Sequence, residues 1–337
     1  MIAVPLRSMV DAMRFAFAVL VAVGAGCGSR SLGEADYSAE LASISMGDSH
    51  GCVLAKGGSI WCWGGNHRYE LGGDTPALHD RPILATTVPD ARALSAGAGE
   101  TCVVGGAESV LCWGSGARDP RSQDDAIPRT IAGLSGVVSV ATGWFGNCAL
   151  SRGRDVSCWS SVDPTPRKVE ALAAVKSLGL GGMRGCALLQ TGEVRCFDPT
   201  TRVVDERGHA SNIETLAVGF MRACGITRTG TVSCWFTDPG FDAIPIAGIA
   251  NARALAVNSW NACALSSSGE VQCWDMGATT TGPIPVEGLE DVTAFSSRMS
   301  PASNTYCAIL GRRTVSCWEV DRSLPSLQAK AQPGFPL

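Results

Sequence analysis

The chain has 337 residues, a formal net charge of −4, 17% charged residues and 40 glycines. So few charges with so much glycine exclude a disordered chain, a coiled coil or a helical bundle, and the acidic balance leaves no global basic field for nucleic acid. The informative count is 15 cysteines, an odd number that leaves one thiol over in an oxidising compartment and would suggest metal sites in a reducing one.

At the N-terminus, Arg7 and Arg14 precede the apolar run Phe15 to Val23, and Gly24-Ala25-Gly26 lead to Cys27. A basic region, a short apolar core and small residues read as a secretory signal over residues 1–26. The run is too short to span a bilayer comfortably as a helix. Small residues directly before Cys27 resemble a bacterial lipoprotein signal. That resemblance implies lipidation of Cys27, sorting to the outer membrane through Gly28, and membrane attachment by the lipid anchor only. Simple secretion, with Cys27 lost in the cleaved peptide, and an unprocessed signal are the alternatives. Residues 27–39 then read as a tether.

The other fourteen cysteines form seven pairs, each with nine residues between: Cys52 with Cys62, Cys102 with Cys112, Cys148 with Cys158, Cys186 with Cys196, Cys224 with Cys234, Cys263 with Cys273 and Cys307 with Cys317. An aromatic follows every second cysteine: Trp63, Trp113, Trp159, Phe197, Trp235, Trp274 and Trp318. If each pair faces across a hairpin, the interior folds about a three-residue loop. The facing residues are then Leu54 and Ile60, Val104 and Val110, Leu150 and Val156, Leu188 and Val194, Ile226 and Val232, Leu265 and Val271, and Ile309 and Val315. All are aliphatic, as a buried sheet face requires. The third loop position is Gly58, Gly192, Gly230 or Gly269 in four hairpins, suiting a left-handed turn residue, and Glu108, Arg154 or Arg313 in the rest. Facing strand residues lie about 4.5–5.5 Å apart, within disulfide reach, so seven local bridges are expected, each worth roughly 2.5–3 kcal/mol at most. Zinc ligation prefers two to four intervening residues, and only four histidines exist, so no metal site is expected.

Before each hairpin lies another strand-like run ending in Gly or a substitute, such as Ile44 to Gly47, Leu216 to Gly219 and Leu255 to Asn258. Before that comes a Pro-led piece, led by Pro128, Pro245 and Pro285, and Pro at a strand start marks an edge. Four short strands per unit predict an all-β, seven-bladed β-propeller over residues 40–327. Its blade-defining hairpins are 52–62, 102–112, 148–158, 186–196, 224–234, 263–273 and 307–317. The first blade has no Pro-led strand ahead of it. Residues 323–327 are therefore expected to close the ring as a C-terminal strand of that first blade, with 328–337 as a tail.

The first repeat runs from Gly47-Asp-Ser-His50-Gly-Cys52 through Trp61-Cys62-Trp63-Gly64-Gly-Asn66 to Glu70-Leu71-Gly72. It resembles the regulator of chromosome condensation repeat, and paired cysteines in every blade resemble secreted bacterial members of that family. The resemblance implies a seven-bladed propeller and a structural role for His50. The Asn-to-Leu-Gly tail is missing from repeats three to seven. Fold alone does not transfer nucleotide exchange.

Between each Gly and the first cysteine of its hairpin the contents vary. Trp144, Phe145, Met183, Arg184, Phe220, Met221, Arg222 and Trp260 have the composition of binding hot spots, on loops carried by a rigid scaffold. The competing assignment is that Trp144, Phe220 and Trp260 plug the central channel or pack between blades. No catalytic motif, phosphate loop or cofactor signature is present. His67 and His79, near Asp74 and Asp80, read as a solvated loop. The expected function is non-enzymatic binding of a protein or an envelope polymer by a monomer without cofactor, away from nucleic acid. The alternatives are an envelope hydrolase or carbohydrate-binding propeller acting at the channel, and a structural envelope lipoprotein.

Overall fold

A computed structural model describes residues 39–73, 76–116, 122–276, 282–301, 303–321 and 326–335. The signal segment, Cys27 and Asp74 lie outside the described residues. Seven small antiparallel sheets form a propeller, with no α-helix among the described residues. Blade one shows the plan: Leu41–Met46, His50–Ala55, Ser59–Gly64 and His79–Thr87, each pairing with the next. Blade four keeps three strands. Its outer edge is completed by two single bridges, Val194 to Ala210 and Phe197 to Val204.

All seven predicted hairpin registers hold, from Leu54 opposite Ile60 to Ile309 opposite Val315. Every expected bridge is formed: Cys52 to Cys62, Cys102 to Cys112, Cys148 to Cys158, Cys186 to Cys196, Cys224 to Cys234, Cys263 to Cys273 and Cys307 to Cys317. Their Cα atoms are 3.9–4.1 Å apart, closer than the 4.5–5.5 Å expected for facing residues, because the bond draws the two strands together. The turn residues behave as the loop chemistry demands. Gly58, Gly192, Gly230 and Gly269 have positive φ, and Glu108 and Arg154 accept the same left-handed geometry. In the seventh turn it moves forward to Gly311 and Arg312. Thiol alkylation of the denatured, unreduced protein is expected to label none of these fourteen cysteines; a labelled peptide from any hairpin would break the pairing.

One expectation is corrected. The Pro-led strands close the preceding blade rather than open the next: Arg129–Thr130 pairs with Val110–Trp113, and Ile244–Pro245 with Val232–Phe236. A strand entering directly from the previous hairpin needs only a short connection, and sequential neighbours pair most readily. Blade one therefore already has its fourth strand. Residues 323–325 lie outside the described residues, and the segment after them belongs to blade seven, where Lys330–Ala331 pairs with Thr314–Glu319. Just before it, Leu327–Gln328 adds in parallel to Ile284–Glu287 of blade six. The tail reaches blade one with side chains. Phe335 meets Trp63 edge-on at 5.4 Å between centroids, and Gln332 Nε2 donates to the Asp80 carbonyl at 3.0 Å.

The ring is closed by its inner strands. Met46 N–H donates to Ser296 Oγ at 3.1 Å, and Met299 N–H to the Gly47 carbonyl at 3.0 Å, joining blades seven and one. Equivalent bonds run from Asp48 to Gly97, Ala98 to Gly143 and Trp144 to Gly181. Glycine is needed at these contacts because the blades converge. A Cβ on Gly181 would lie 1.8 Å from the Gly219 carbonyl oxygen, and one on Gly47 2.4 Å from that of Gly97.

The apolar interior is seven separate seams, each between neighbouring blades. In every seam the disulfide of one blade meets the aromatic of the next. Cys52 and Cys62 pack with Trp113, Cys102 and Cys112 with Trp159, and Cys148 and Cys158 with Phe197. Cys186 and Cys196 then meet Trp235, and Cys224 and Cys234 meet Trp274. Cys263 and Cys273 with Trp318, and Cys307 and Cys317 with Trp63, complete the circuit. Alternation explains this: adjacent residues of a strand face opposite sides of the sheet. Cys62 therefore faces blade two while Trp63 faces blade seven.

Candidate functional site

Each inner strand ends in a four-residue turn that leads to the first cysteine strand. In blades one to six the first N–H of the turn donates to the fourth carbonyl: Gly47 to His50, Gly97 to Glu100, Gly143 to Gly146, Gly181 to Arg184, Gly219 to Arg222 and Asn258 to Asn261. Blade seven carries a longer insert, with Arg298 N–H donating to Thr305. A shared turn geometry gives each position a shared direction.

The second position points inward. Trp144 crosses the channel mouth: its Nε1 donates to the Met299 carbonyl of blade seven at 3.1 Å, and its ring meets Phe220 of blade five edge-on at 5.0 Å. Trp144 and Phe220 therefore form a plug. The third position points outward. In blades three to six it holds Phe145, Met183, Met221 and Trp260, which are 46%, 65%, 41% and 48% exposed. Blades one and two carry Ser49 and Gly99 there. The face thus bears an apolar crescent over four consecutive blades and a polar arc over the rest.

The fourth position anchors. Arg184 pairs with the Asp205 carboxylate and donates through Nε to the Thr237 carbonyl at 2.7 Å. Arg222 donates to the Met276 carbonyl at 2.9 Å and lies over the Phe236 ring at 3.9 Å. Both guanidiniums are engaged within the protein, so of the eight residues singled out from sequence four form the exposed crescent, two plug the channel and two clamp blades. Trp260 is fixed within the crescent. Its backbone N–H is held by Asn258 Oδ1 at 2.9 Å and its Nε1 by the Pro301 carbonyl at 3.2 Å, while about half of its surface stays exposed.

Sequence reasoning missed the buried group around Asp205. Its carboxylate bridges Arg184 and His209, with His209 Nε2 at 2.8 Å, while His209 Nδ1 lies 3.2 Å from the Phe241 carbonyl. The group fills the outer edge of blade four, where a fourth strand is missing. Asp205 and His209 lie on an irregular connection, which is why no periodic signal revealed them.

Below the plug, the channel holds a cavity of about 220 Å³ walled by inner strands of all seven blades, among them Ser45, Ser95, Thr142, Gly179 and Phe295. None of the residues walling it is Asp, Glu, His, Lys or Arg. Serine hydroxyls there face inter-blade bonds: Ser45 Oγ accepts from Ala96 N–H at 2.9 Å, and Ser95 Oγ from Thr142 N–H at 3.0 Å. Acid–base hydrolysis needs a titratable pair at the reacting centre, and none of the residues walling this cavity supplies one. Glu100 lies close to Cys102 and Cys112, but those sulfurs are bonded to each other.

The family model of the regulator of chromosome condensation (RCC1) repeat matches residues 42–70. No curated protein matches the chain. Among solved structures, human WBSCR16 is similar with a TM-score of 0.65 at 15% identity, covering 77% of this chain and 85% of that one. Prp20p from Saccharomyces cerevisiae, described with its binding to Gsp1p and histones, gives 0.59 at 16% identity over 73% and 76%. The CRINKLY ectodomain of the Arabidopsis thaliana receptor kinase ACR4 gives 0.55 at 18% identity over 89% and 100%. At these identities the likeness is one of fold. The Asn66-to-Gly72 segment wedges between blades one and two, where Leu71 is fully buried and the Glu70 carbonyl accepts from Thr101 Oγ1 at 2.8 Å and Trp113 Nε1 at 3.0 Å.

Proposed function

We propose that this disulfide-stapled RCC1-like propeller is a non-enzymatic binding protein of the bacterial cell envelope, and that it grips a partner protein with the crescent of Phe145, Met183, Met221 and Trp260. The observation that carries the reading is the shared turn position: four consecutive blades each present one large apolar side chain at the same place on one face. Soluble surfaces seldom gather such residues without a partner to cover them. A rigid tryptophan beside two adaptable methionines is a composition suited to a protein anchor. The envelope location and lipid anchor rest on the N-terminal sequence, which fits the seven disulfides among the described residues.

Site-specific photocrosslinkers at positions 183, 221 and 260 are expected to trap one common partner in intact cells, while crosslinkers in the hairpin turns at 56 and 228, on the opposite face of the ring, trap none. Met183→Asp with Trp260→Ala is expected to abolish the adduct formed from position 221 with folding intact. Equal trapping from both sets of positions, or an adduct indifferent to these changes, would overturn the reading.

A further inference from the structure

Sulfur chemistry on this protein is unevenly distributed. All fourteen cysteines of the described residues are committed to disulfides, so no thiol there intercepts an oxidant. The thioethers are what remain. Met46 is 3% exposed, Met276 and Met299 are half-buried, and Met183 and Met221 stand out at 65% and 41%. These two occupy the same third turn position in adjacent blades, held by Gly181 N–H to Arg184 and Gly219 N–H to Arg222 at 2.9 and 2.7 Å. Two accessible thioethers therefore sit side by side in blade order at the centre of the apolar crescent, between Phe145 and Trp260.

We propose that Met183 and Met221 are a paired oxidation site at which a hydroperoxide switches off the crescent. This rests on the docking reading above for its consequence, but not for its chemistry. The thioether sulfur attacks the terminal peroxide oxygen. An S–O bond forms as the O–O bond breaks, and sulfur loses two electrons to the peroxide. The proton on the transferred oxygen passes to the departing hydroxide or alkoxide, leaving a sulfoxide and water or an alcohol. A flexible apolar side chain becomes a polar one. Burying a sulfoxide without a hydrogen-bond donor should weaken an apolar contact about ten-fold or more for each residue converted.

The test treats the full-length folded protein with hydrogen peroxide and follows each methionine peptide for the gain of one oxygen. Met183 is expected to convert first and Met221 next, with Met46, Met276 and Met299 reacting only after denaturation. Conversion of Met276 or Met299 as fast as Met183, or survival of both crescent residues, overturns the proposal. The second arm measures binding of anilinonaphthalene sulfonate as an apolar probe, before and after peroxide. Oxidation is expected to reduce that binding several-fold in the natural protein and to leave a Met183→Leu, Met221→Leu protein unchanged. Equal loss in both proteins sinks the switch. If the oxidation map and the probe behave as expected while crosslinking finds no partner, the docking reading alone fails.

Discussion

Trp113→Ala is expected to lower stability by about 4 kcal/mol, while Trp113→Phe costs about 1 kcal/mol and Trp235→Phe almost nothing. Trp113 is fully buried in the seam between blades one and two, against Cys52, Cys62, Leu54 and Leu71. Truncation to Ala empties that seam and strips cover from a disulfide. The Phe variants separate packing from hydrogen bonding. Trp113 Nε1 donates to the Glu70 carbonyl at 3.0 Å, so Phe forfeits a real bond. Trp235 is 2% exposed, and its Nε1 has no partner among the described residues, as is also true of Trp159 and Trp274. Removing an orphaned buried donor offsets the lost area. Phe197 already occupies this position in blade four, wholly buried. Urea unfolding with disulfides intact measures the three differences. Equal costs for the two Phe variants would refute the assignment of the Glu70 bond.

The contrast has a cause in the sequence. Only repeat one carries the complete Asn66-to-Gly72 tail, and that tail delivers the carbonyl which Trp113 uses. Repeats three to seven lack it, and in blades three, five and six the indole is left with packing alone. Trp318 finds the Cys273 sulfur at 3.4 Å instead.

Most of the scaffold was legible because its determinants are local and periodic. Nine residues between cysteines fix the hairpin register, and the aliphatic pairs inside check it seven times over. What a single repeat cannot reveal is phase. A Pro-led strand between two hairpins suits either neighbour by spacing, and only the pairing of Ile244–Pro245 with Val232–Phe236 decides that it closes the earlier blade. The site was half legible for a similar reason. Composition drew attention to eight residues but not to their directions. Counting from each Gly to the first cysteine would have sorted them, because Trp144 and Phe220 share the second turn position and Phe145, Met183, Met221 and Trp260 share the third. Long-range partners such as Met299 for Trp144, or Asp205 for Arg184, have no such counter.

Acidification should destabilise the ring through His50 before it touches any carboxylate. His50 is wholly buried, and its Nε2 lies 2.8 Å from Thr101 Oγ1. The Thr101 hydroxyl proton is already given to the Glu70 carbonyl at 2.8 Å, so His50 must donate from Nε2 and leave Nδ1 as a bare lone pair. That Nδ1 faces the Gly47 backbone and has no partner among the described residues. A second proton there would be buried without an acceptor. Burial first, and the Arg298 charge second, push the imidazole pKa from 6.5 down to about 3. On acidification the unfolded chain therefore binds the proton first. Stability is whole above pH 6.5 and falls as the pH drops toward 3, by about 2 kcal/mol at pH 5 and about 5 kcal/mol at the lower end. Carboxylates held below their usual range, such as Glu40 by Lys56 and Glu214 by Arg228 and Lys176, begin from 4.5 and are surface pairs, so they act later and more weakly. His50→Gln keeps a donor for Thr101 and cannot take up the proton. Its urea midpoint is expected to be lower at pH 7.5 yet flat down to pH 5, whereas the natural protein loses stability across that interval. Parallel slopes in the two proteins would show that the acid-sensitive group lies elsewhere. A steeper fall in the natural protein alone identifies the seam between blades one and two, where His50 and Trp113 share the Glu70 carbonyl, one through Thr101 and one directly, as the place where acid opens the ring.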